Sequence, residues 1–294
     1  METVPWAEIC KELSKTVGGT VVTQSLKPLG GGGRCQAVCV SNGERDVMLK
    51  VSSQGRSGMF EAEAAGLEEL SRADAIRVPV VYGLGKSDSW EWIAMEYISM
   101  TPPTPRGQQR LGEGLARLHR RKRDRFGWDR DNTIGLTPQR NSFHASWVGF
   151  LKEERLAYQF ELAARQGMVF DGHTELLDQV EHFFSDYNPQ PSLLHGDLWS
   201  GNVGFAREGE EPIIYDPAVY FGDREAEFGI IEMFGGFSRR FFAAYQSEYP
   251  LEAGFEKRRD LYLLYHQLNH FNLFGSSYVP AVQSTLQRLI ASLN

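Results

Sequence analysis

Two short segments near position 200 carry acidic and amide side chains at a spacing suited to phosphoryl transfer. HGDLWSGN at 195–202 places Asp197 and Asn202 five residues apart, and IIYDP at 213–217 ends an apolar stretch in Asp216. Asp197 would accept the proton of an attacking hydroxyl, whereas Asn202 and Asp216 offer hard oxygen ligands for Mg²⁺ bound to ATP phosphates. The alternative is a polar turn capped by Asp197, but the spacing favours phosphoryl transfer.

A lysine on a strand, followed by an acidic helix, precedes these segments. Lys50 is central in the predicted strand VMLKV, and its ammonium would contact ATP phosphates. Two glutamates could hold that lysine. Glu63 shares the apolar helix face with Phe60, whereas Glu61 falls on the wetter face, so we select Glu63.

Four consecutive glycines, at 30–33, separate the first two predicted strands. Such a backbone can approach a ligand closely and direct N–H groups at phosphate oxygens. We therefore assign Gly31, Gly32 and Gly33 to nucleotide binding, although a structural hairpin tip remains an equal alternative. The run is not a Walker A motif, because no Gly-Lys-Ser/Thr follows it.

The elements that must position these residues change in type near residue 98. Asn42-Gly43 predicts a hairpin in the first part, and prolines at 102, 103 and 105 open the second. We expect an α+β protein with a sheet-rich part over 1–98 and a larger helical part over 99–294. Predicted strands cover 21–29, 36–41, 47–51, 78–83 and 90–98, and predicted helices cover 59–70, 107–121, 146–166, 175–187, 224–248, 256–274 and 280–293.

Composition excludes several classes of function. The chain has 294 residues, a formal net charge of -7 and three cysteines. Its acidic balance argues against a nucleic-acid partner, and no apolar run is long enough to predict a membrane span. Three cysteines cannot staple a secreted scaffold, so we expect a reducing, cytoplasmic location.

Other aromatic and histidine residues have simpler interpretations. We predict that His195 holds the backbone of its loop rather than acting in catalysis. The aromatic residues of the long helix at 256–274 are expected to be core, and these are Tyr262, Tyr265, Phe271 and Phe274.

The segments LLHGDLWSGN and PIIYDPA resemble the signature of the fructosamine kinase (ketosamine-3-kinase) family, relatives of the aminoglycoside phosphotransferases. The similarity extends through DNTIGLTPQ, FGDREAEFG and RRDLYLLYHQLNHFNLFGSSY. It is closest to bacterial and plant members, which favour ribulosamine and erythrulosamine adducts. The resemblance implies a two-lobed protein-kinase-like fold, with a small antiparallel-sheet N-lobe, and ATP-dependent phosphorylation of the 3-hydroxyl of a ketosamine on a protein or small amine. Elimination of the 3-phosphate would return the amine, which is deglycation.

The resemblance also implies roles for single residues. Lys50 and Glu63 would anchor ATP, Asp197 would be the base, and Asn202 and Asp216 would hold Mg²⁺. The backbone from Glu96 to Ile98 would form the adenine hinge, and Trp199 and His270 are candidates for contacting the sugar.

Cys35 is a further candidate that follows from the resemblance. Family members often carry a cysteine in the glycine loop that is linked to redox-dependent disulfide dimerisation, so the chain would be a monomer or a redox-dependent homodimer. The loop GGGGRC departs from the usual GGGC followed by Ile-Ser or Ile-Asn. A plain reduced thiol therefore remains an equal alternative.

Three rival functions use some of the same residues. A kinase for an aminoglycoside or for choline would share Asp197, Asn202 and Asp216, and an aminoglycoside pocket would need further carboxylates, for which Asp223, Glu225 and Glu227 are available. A non-catalytic nucleotide-binding regulator would require a missing catalytic part, and none is missing. A protein kinase is disfavoured because Pro217 stands where a DFG motif continues with Phe-Gly.

Overall fold

The computed structural model describes residues 4–30, 35–53, 58–86 and 89–293, and these form the expected α+β architecture. Five antiparallel strands make one sheet in the order β1-β2-β3-β5-β4. The elements of this first part are α1 (Trp6–Val17), β1 (Lys27–Gly30), β2 (Cys35–Ser41), β3 (Asp46–Ser53), α2 (Met59–Arg72), β4 (Val81–Lys86) and β5 (Trp90–Glu96).

Side-chain alternation along β3 gives the sheet two different faces. Leu49 and Val51 are fully buried in an apolar cluster with Leu13 of α1. Because neighbouring residues of a strand point to opposite faces, Lys50 is directed away from that cluster. Lys50 therefore faces α2 and the second part of the chain.

The second part is mainly helical, as predicted. Its helices are α3 (Pro105–His119), α4 (Trp147–Phe150), α5 (Tyr158–Arg165), α6 (His173–Gln179), α7 (Glu227–Phe234), α8 (Arg239–Glu248), α9 (Phe255–Phe274) and α10 (Val279–Ala291). Its strands are short and pair as β6 (Asn132–Ile134) with β7 (Thr137–Gln139), β8 (Ser192–Leu194) with β11 (Tyr220–Gly222), and β9 (Val203–Ala206) with β10 (Glu211–Ile214).

The larger apolar cluster joins the two parts of the chain. It contains Phe60 and Leu67 of α2 and Ile93 of β5 together with the core of the helical part. Gly66 of α2 also lies against Pro217, since a Cβ at this glycine would be 3.2 Å from the proline ring. The division of the chain after residue 98 stays a prediction.

Several predicted elements differ in extent from the structure. The strand predicted over 21–29 is only β1, because a 3-10 turn occupies Thr23–Ser25. The helix predicted over 224–248 is interrupted between α7 and α8, where Gly235 and Gly236 adopt positive φ angles of 63° and 89°. The helix predicted over 146–166 is continuous but is wound as a π-helix at Leu151–Ala157.

No helix within the described ranges combines the length and the apolar character needed to cross a membrane.

Candidate active site

A cavity of about 650 Å³ lies between the sheet and the helical part. It brings together eight predicted site residues from separate elements, which are Cys35, Lys50, Glu63, Asp197, Trp199, Asn202, Asp216 and His270. Gly31, Gly32 and Gly33 lie outside the described residues. The structure therefore gathers most of the predicted site into one volume.

The β9–β10 hairpin explains how Asn202 and Asp216 meet. Asn202 immediately precedes β9 and Asp216 follows β10, whose register pairs Val203 with Ile214. The Tyr215 N–H donates to the Asn202 carbonyl oxygen at 3.1 Å, which extends the pairing to the site. Residues 14 positions apart thus lie side by side, and Asp216 itself adopts a left-handed φ of 57°.

The side-chain amide of Asn202 ties the two acids together. Its Nδ2 donates to the Asp197 backbone oxygen at 2.8 Å, to Asp197 Oδ2 at 3.0 Å and to the Asp216 backbone oxygen at 3.4 Å. All the hydrogen bonds described for this side chain are made by Nδ2. The Oδ1 atom is therefore the one left to bind a metal ion.

Lys50 bridges the two parts of the chain through a pair of carboxylates. Its Nζ lies 2.5 Å from Glu63 Oε1 and also contacts Asp216 Oδ1. Burial alone would lower the pKa of Lys50, but the charges of Glu63 and Asp216 raise it overall, so the ammonium stays protonated. Glu61 is exposed, which agrees with the choice of Glu63 as the partner of Lys50.

Asp197 stands in an environment that favours proton uptake. Burial raises the pKa of its carboxyl well above the usual range, the hydrogen bond from Asn202 opposes this, and the charges of Asp216 and Glu227 add to it. A carboxylate whose proton affinity is raised is a better proton acceptor for a hydroxyl group.

The turn before Asp197 requires glycine. Gly196 has a φ of 84°, and a Cβ there would lie 2.1 Å from the carbonyl oxygen of Ala218. Ala218 N–H donates to the His195 carbonyl oxygen at 2.8 Å, so the two segments are hydrogen-bonded at this point. The ring of His195 is fully buried with Nε2 3.0 Å from the Tyr215 carbonyl oxygen, in agreement with the predicted structural role.

Sequence reasoning missed the residue that holds this turn. Glu227, the first residue of α7, accepts the backbone N–H groups of His195 at 2.7 Å and Gly196 at 3.0 Å. It is 2% exposed, and His119 Nε2 lies 3.6 Å from its Oε2. An acid at the start of an otherwise apolar helix was the available signal.

The cavity lining includes a group of aromatic rings that contact one another. The Trp199 ring packs against Phe234 at a centroid distance of 5.2 Å, and Phe234 packs against His270 at 5.1 Å. His270 in turn contacts Phe274 at 5.5 Å and Tyr278 at 5.3 Å. Trp199 and His270 are thus joined through Phe234, and their contact with the sugar stays a prediction.

One aromatic prediction on α9 is wrong. Phe274 is 65% exposed and lines the cavity instead of the core, because it is the last residue of its helix and projects beyond the packed face. Tyr262, Tyr265 and Phe271 are buried as predicted.

The hinge residues and the redox residue are the remaining candidates, and their proposed roles stay predictions. Glu96 ends β5 and pairs with Arg77 at 2.5 Å, and neither it nor Ile98 is among the described residues that line the cavity. Cys35 is the first residue of β2 and half-buried, rather than part of a loop, because its backbone pairs with Ser52. Cys10 and Cys39 are buried.

A small antiparallel sheet above a helical part, with this set of residues in the cleft, defines a kinase of the protein-kinase-like fold. The model of the fructosamine kinase family matches residues 5–292, and the chain belongs to that family. It is 39% identical over 287 residues to a probable ketoamine kinase of Synechocystis, covering 97% of each chain. It is also 39% identical to the chloroplastic protein-ribulosamine 3-kinase of Oryza sativa subsp. indica, covering 95% of this chain and 82% of that protein.

Solved structures agree with this assignment. A Haemophilus somnus protein named provisionally as a fructosamine-3-kinase superimposes with a TM-score of 0.89 at 28% identity, covering 97% of each chain. The aminoglycoside phosphotransferase APH(4)-Ia shares the fold, with a TM-score of 0.64 at 16% identity, covering 98% of this chain and 99% of that one.

Proposed function

We propose that the protein is an ATP-dependent ketosamine 3-kinase, which phosphorylates the sugar 3-hydroxyl of ribulosamine, erythrulosamine or fructosamine adducts. The observation that carries the proposal is the gathering of Lys50, Asp197, Asn202 and Asp216 around one cavity that continues into an aromatic pocket. The names of the relatives support the ketosamine as acceptor.

The nucleotide would bind on the Lys50 side of the cavity. The ammonium of Lys50, oriented by Glu63, neutralises charge on the ATP phosphates. The donor set fits Mg²⁺, because Asn202 Oδ1 has no other described partner and the Asp216 side chain is 42% exposed. When bound, Mg²⁺ supplies positive charge that offsets the charge on the transferred phosphoryl group.

Asp197 would act on the acceptor. The 3-hydroxyl oxygen forms a bond to the γ-phosphorus, the bond from that phosphorus to the β-γ bridging oxygen breaks, and ADP leaves. The hydroxyl proton passes to Asp197, whose raised pKa suits this role. The hydrogen bond from Asn202 to Asp197 Oδ2 would keep that carboxylate in place and leave Oδ1 for the hydroxyl proton.

The product determines the biological role. A ketosamine 3-phosphate is unstable and eliminates, which frees the amine and removes the sugar from it. The activity would therefore reverse glycation of protein lysines or small amines in the cytoplasm.

The carboxylates of the described cavity argue against an aminoglycoside as acceptor. A polycation needs several acids, yet among the described lining residues only Glu63, Asp197 and Asp216 carry one. The other candidate acids, Asp223, Glu225 and Glu227, are buried and are not among the described lining residues. They contact other side chains instead; for example, Arg258 Nε lies 2.7 Å from Glu225 Oε2.

The test measures ADP formation by the purified protein with ribulosamine, erythrulosamine, fructosamine, choline and an aminoglycoside as acceptors. We expect turnover of the ketosamines, with the phosphate on the 3-oxygen by ³¹P and ¹³C NMR. Preferential turnover of choline or of the aminoglycoside would disprove the proposal.

A further inference from the structure

Four rings of the cavity lining form a surface that we call the aromatic rim, defined by Phe234, His270, Phe274 and Tyr278. All four line the cavity, and their neighbouring ring centroids lie 5.1 to 5.5 Å apart around His270. Phe234 is 40% exposed and Phe274 is 65% exposed. Large apolar side chains that stay this exposed beside a cavity are typical of a ligand contact.

Two helices end together at the aromatic rim. Phe234 is the last residue of α7 and Phe274 the last of α9. The helices run in the same direction, because Gly229 lies against Tyr262 and, five residues later, Phe234 lies against His270. The C-terminal ends of both helix dipoles, which carry partial negative charge, therefore lie at the aromatic rim.

The charged residues of the described cavity lining are compatible with a cation at the aromatic rim. Lys50, at the nucleotide end, is the one lysine or arginine among the described lining residues. Burial lowers the pKa of His270 below its ordinary value, and the contact of its Nδ1 with the carbonyl oxygen of His266 at 2.8 Å opposes this only in part, so the ring carries no charge at neutral pH. The described lining residues that carry a carboxylate are Glu63, Asp197 and Asp216, and none of them belongs to the aromatic rim. A single cation at the aromatic rim would be attracted by the faces of the rings and by the partial negative charge of the two helix ends, without forming an ion pair with a rim residue.

We propose that the aromatic rim binds the ammonium group and first methylenes of the amine that carries the sugar, and so selects singly charged alkylamine adducts such as that of a lysine side chain. This inference rests on the proposed function, since it concerns the amine end of the same substrate. A ketosamine nitrogen is a secondary alkylamine and is protonated at neutral pH, whereas the attached alkyl stem is apolar. Ring faces bind both groups. Because Phe274 is exposed to solvent, an alkyl stem that packs on it can continue into a larger molecule such as a protein.

The test compares two acceptors that differ only in the group that joins the sugar to the alkyl chain. One is an N-butyl ribulosamine, and the other is the 1-O-butyl ether of the same ketose, in which oxygen replaces the NH group. We expect the wild-type kcat/KM to be about 3- to 30-fold higher for the amine, the range of a cation–π contact. Phe274→Leu keeps apolar volume but removes the most exposed of the four rings, and should lower that ratio clearly. Phe274→Tyr should preserve it.

A matched control separates the aromatic rim from a general effect of losing a ring. Phe242 on α8 is 42% exposed and lies outside the cavity lining, so Phe242→Leu should leave the amine-to-ether ratio as in the wild type. Equal kcat/KM values for amine and ether in the wild type, or an unchanged ratio in Phe274→Leu, would overturn this inference but would leave the proposed function intact. Failure of the wild type to phosphorylate either sugar would instead overturn the proposed function, and the inference with it.

Discussion

The carboxylate of Glu227 accepts the backbone N–H of His195 at 2.7 Å across a separation of 32 residues in the chain. Its second oxygen accepts the N–H of Gly196 at 3.0 Å, so one buried acid holds both peptide groups that precede Asp197. Burial would raise the pKa of Glu227, but its contacts with His119 and His195 lower the pKa overall. The acid therefore stays ionised and fixes the turn by charge-assisted hydrogen bonds.

We expect Glu227→Gln to destabilise the fold and to slow catalysis. The amide can accept with one atom only, so one buried N–H loses its partner, at a cost of about 1–3 kcal/mol. Urea unfolding measures the stability, and kcat with a ketosamine measures the effect on Asp197. Glu232→Gln, at an exposed position of the same helix, is the matched control. Wild-type stability in Glu227→Gln would show that the two hydrogen bonds are unimportant.

Replacing the proposed base should affect chemistry more than nucleotide binding. We expect Asp197→Asn to lower kcat by about 10²- to 10⁴-fold, the usual contribution of a positioned acid or base, with the KM for ATP little changed. The amide is close in size to the carboxylate, so the turn at Gly196 should persist. Steady-state kinetics of the purified variant decide the matter, and near-normal turnover would contradict the assignment.

The pH dependence of the wild type offers an independent test of Asp197. Its pKa is raised, so the carboxyl takes up its proton at a higher pH than an ordinary aspartate, and a protonated carboxyl cannot accept another proton. We therefore expect kcat/KM to fall as the pH is lowered, with the acid limb above the ordinary aspartate range. An acid limb at the ordinary aspartate pKa would contradict the raised proton affinity.

The metal assignment is tested at Asp216. We expect Asp216→Ala to lose most activity, and added Mg²⁺ not to restore it fully, because a direct ligand is gone. Activity is measured across a Mg²⁺ titration, with Asp171→Ala at an exposed position as the control. If chelation of divalent ions leaves wild-type activity unchanged, the metal has no part in the reaction.

Cys35 should be the most readily oxidised of the three thiols. Burial raises the pKa of Cys10 and of Cys39, which keeps both as unreactive thiols, whereas Cys35 lines the cavity. We expect mild oxidant to give a covalent dimer with altered activity, reductant to reverse it, and ATP to protect the thiol by covering it. Non-reducing gels and parallel assays of wild type, Cys35→Ser and Cys10→Ser measure this. A covalent dimer in Cys35→Ser, or a monomeric wild type, would rule out the switch.

Much of the site could be predicted because local sequence carries its chemistry. The hairpin at Asn42-Gly43, the pairing of Lys50 with Glu63 and the joining of Asn202 with Asp216 follow from side-chain periodicity and motif spacing. The role of Glu227 could not be predicted in this way, because its partners are backbone groups 31 and 32 residues away. Helical periodicity wrongly predicted that Phe274 is buried in the core. The periodic pattern shows which residues share a face of the helix, but it does not show how far along the helix that face is covered by neighbouring elements.

The location of the aromatic rim at the ends of α7 and α9 has a consequence for divergence within this fold. The proposed base Asp197 lies on a turn held by the buried Glu227, whereas Phe234 and Phe274 project from helix ends whose inner faces already complete the core. Exchanging an exposed ring should therefore change which molecule is held while costing the fold little. Evolution can then alter acceptor preference by single substitutions at nearly constant folding stability, without first rebuilding the machinery that transfers the phosphate.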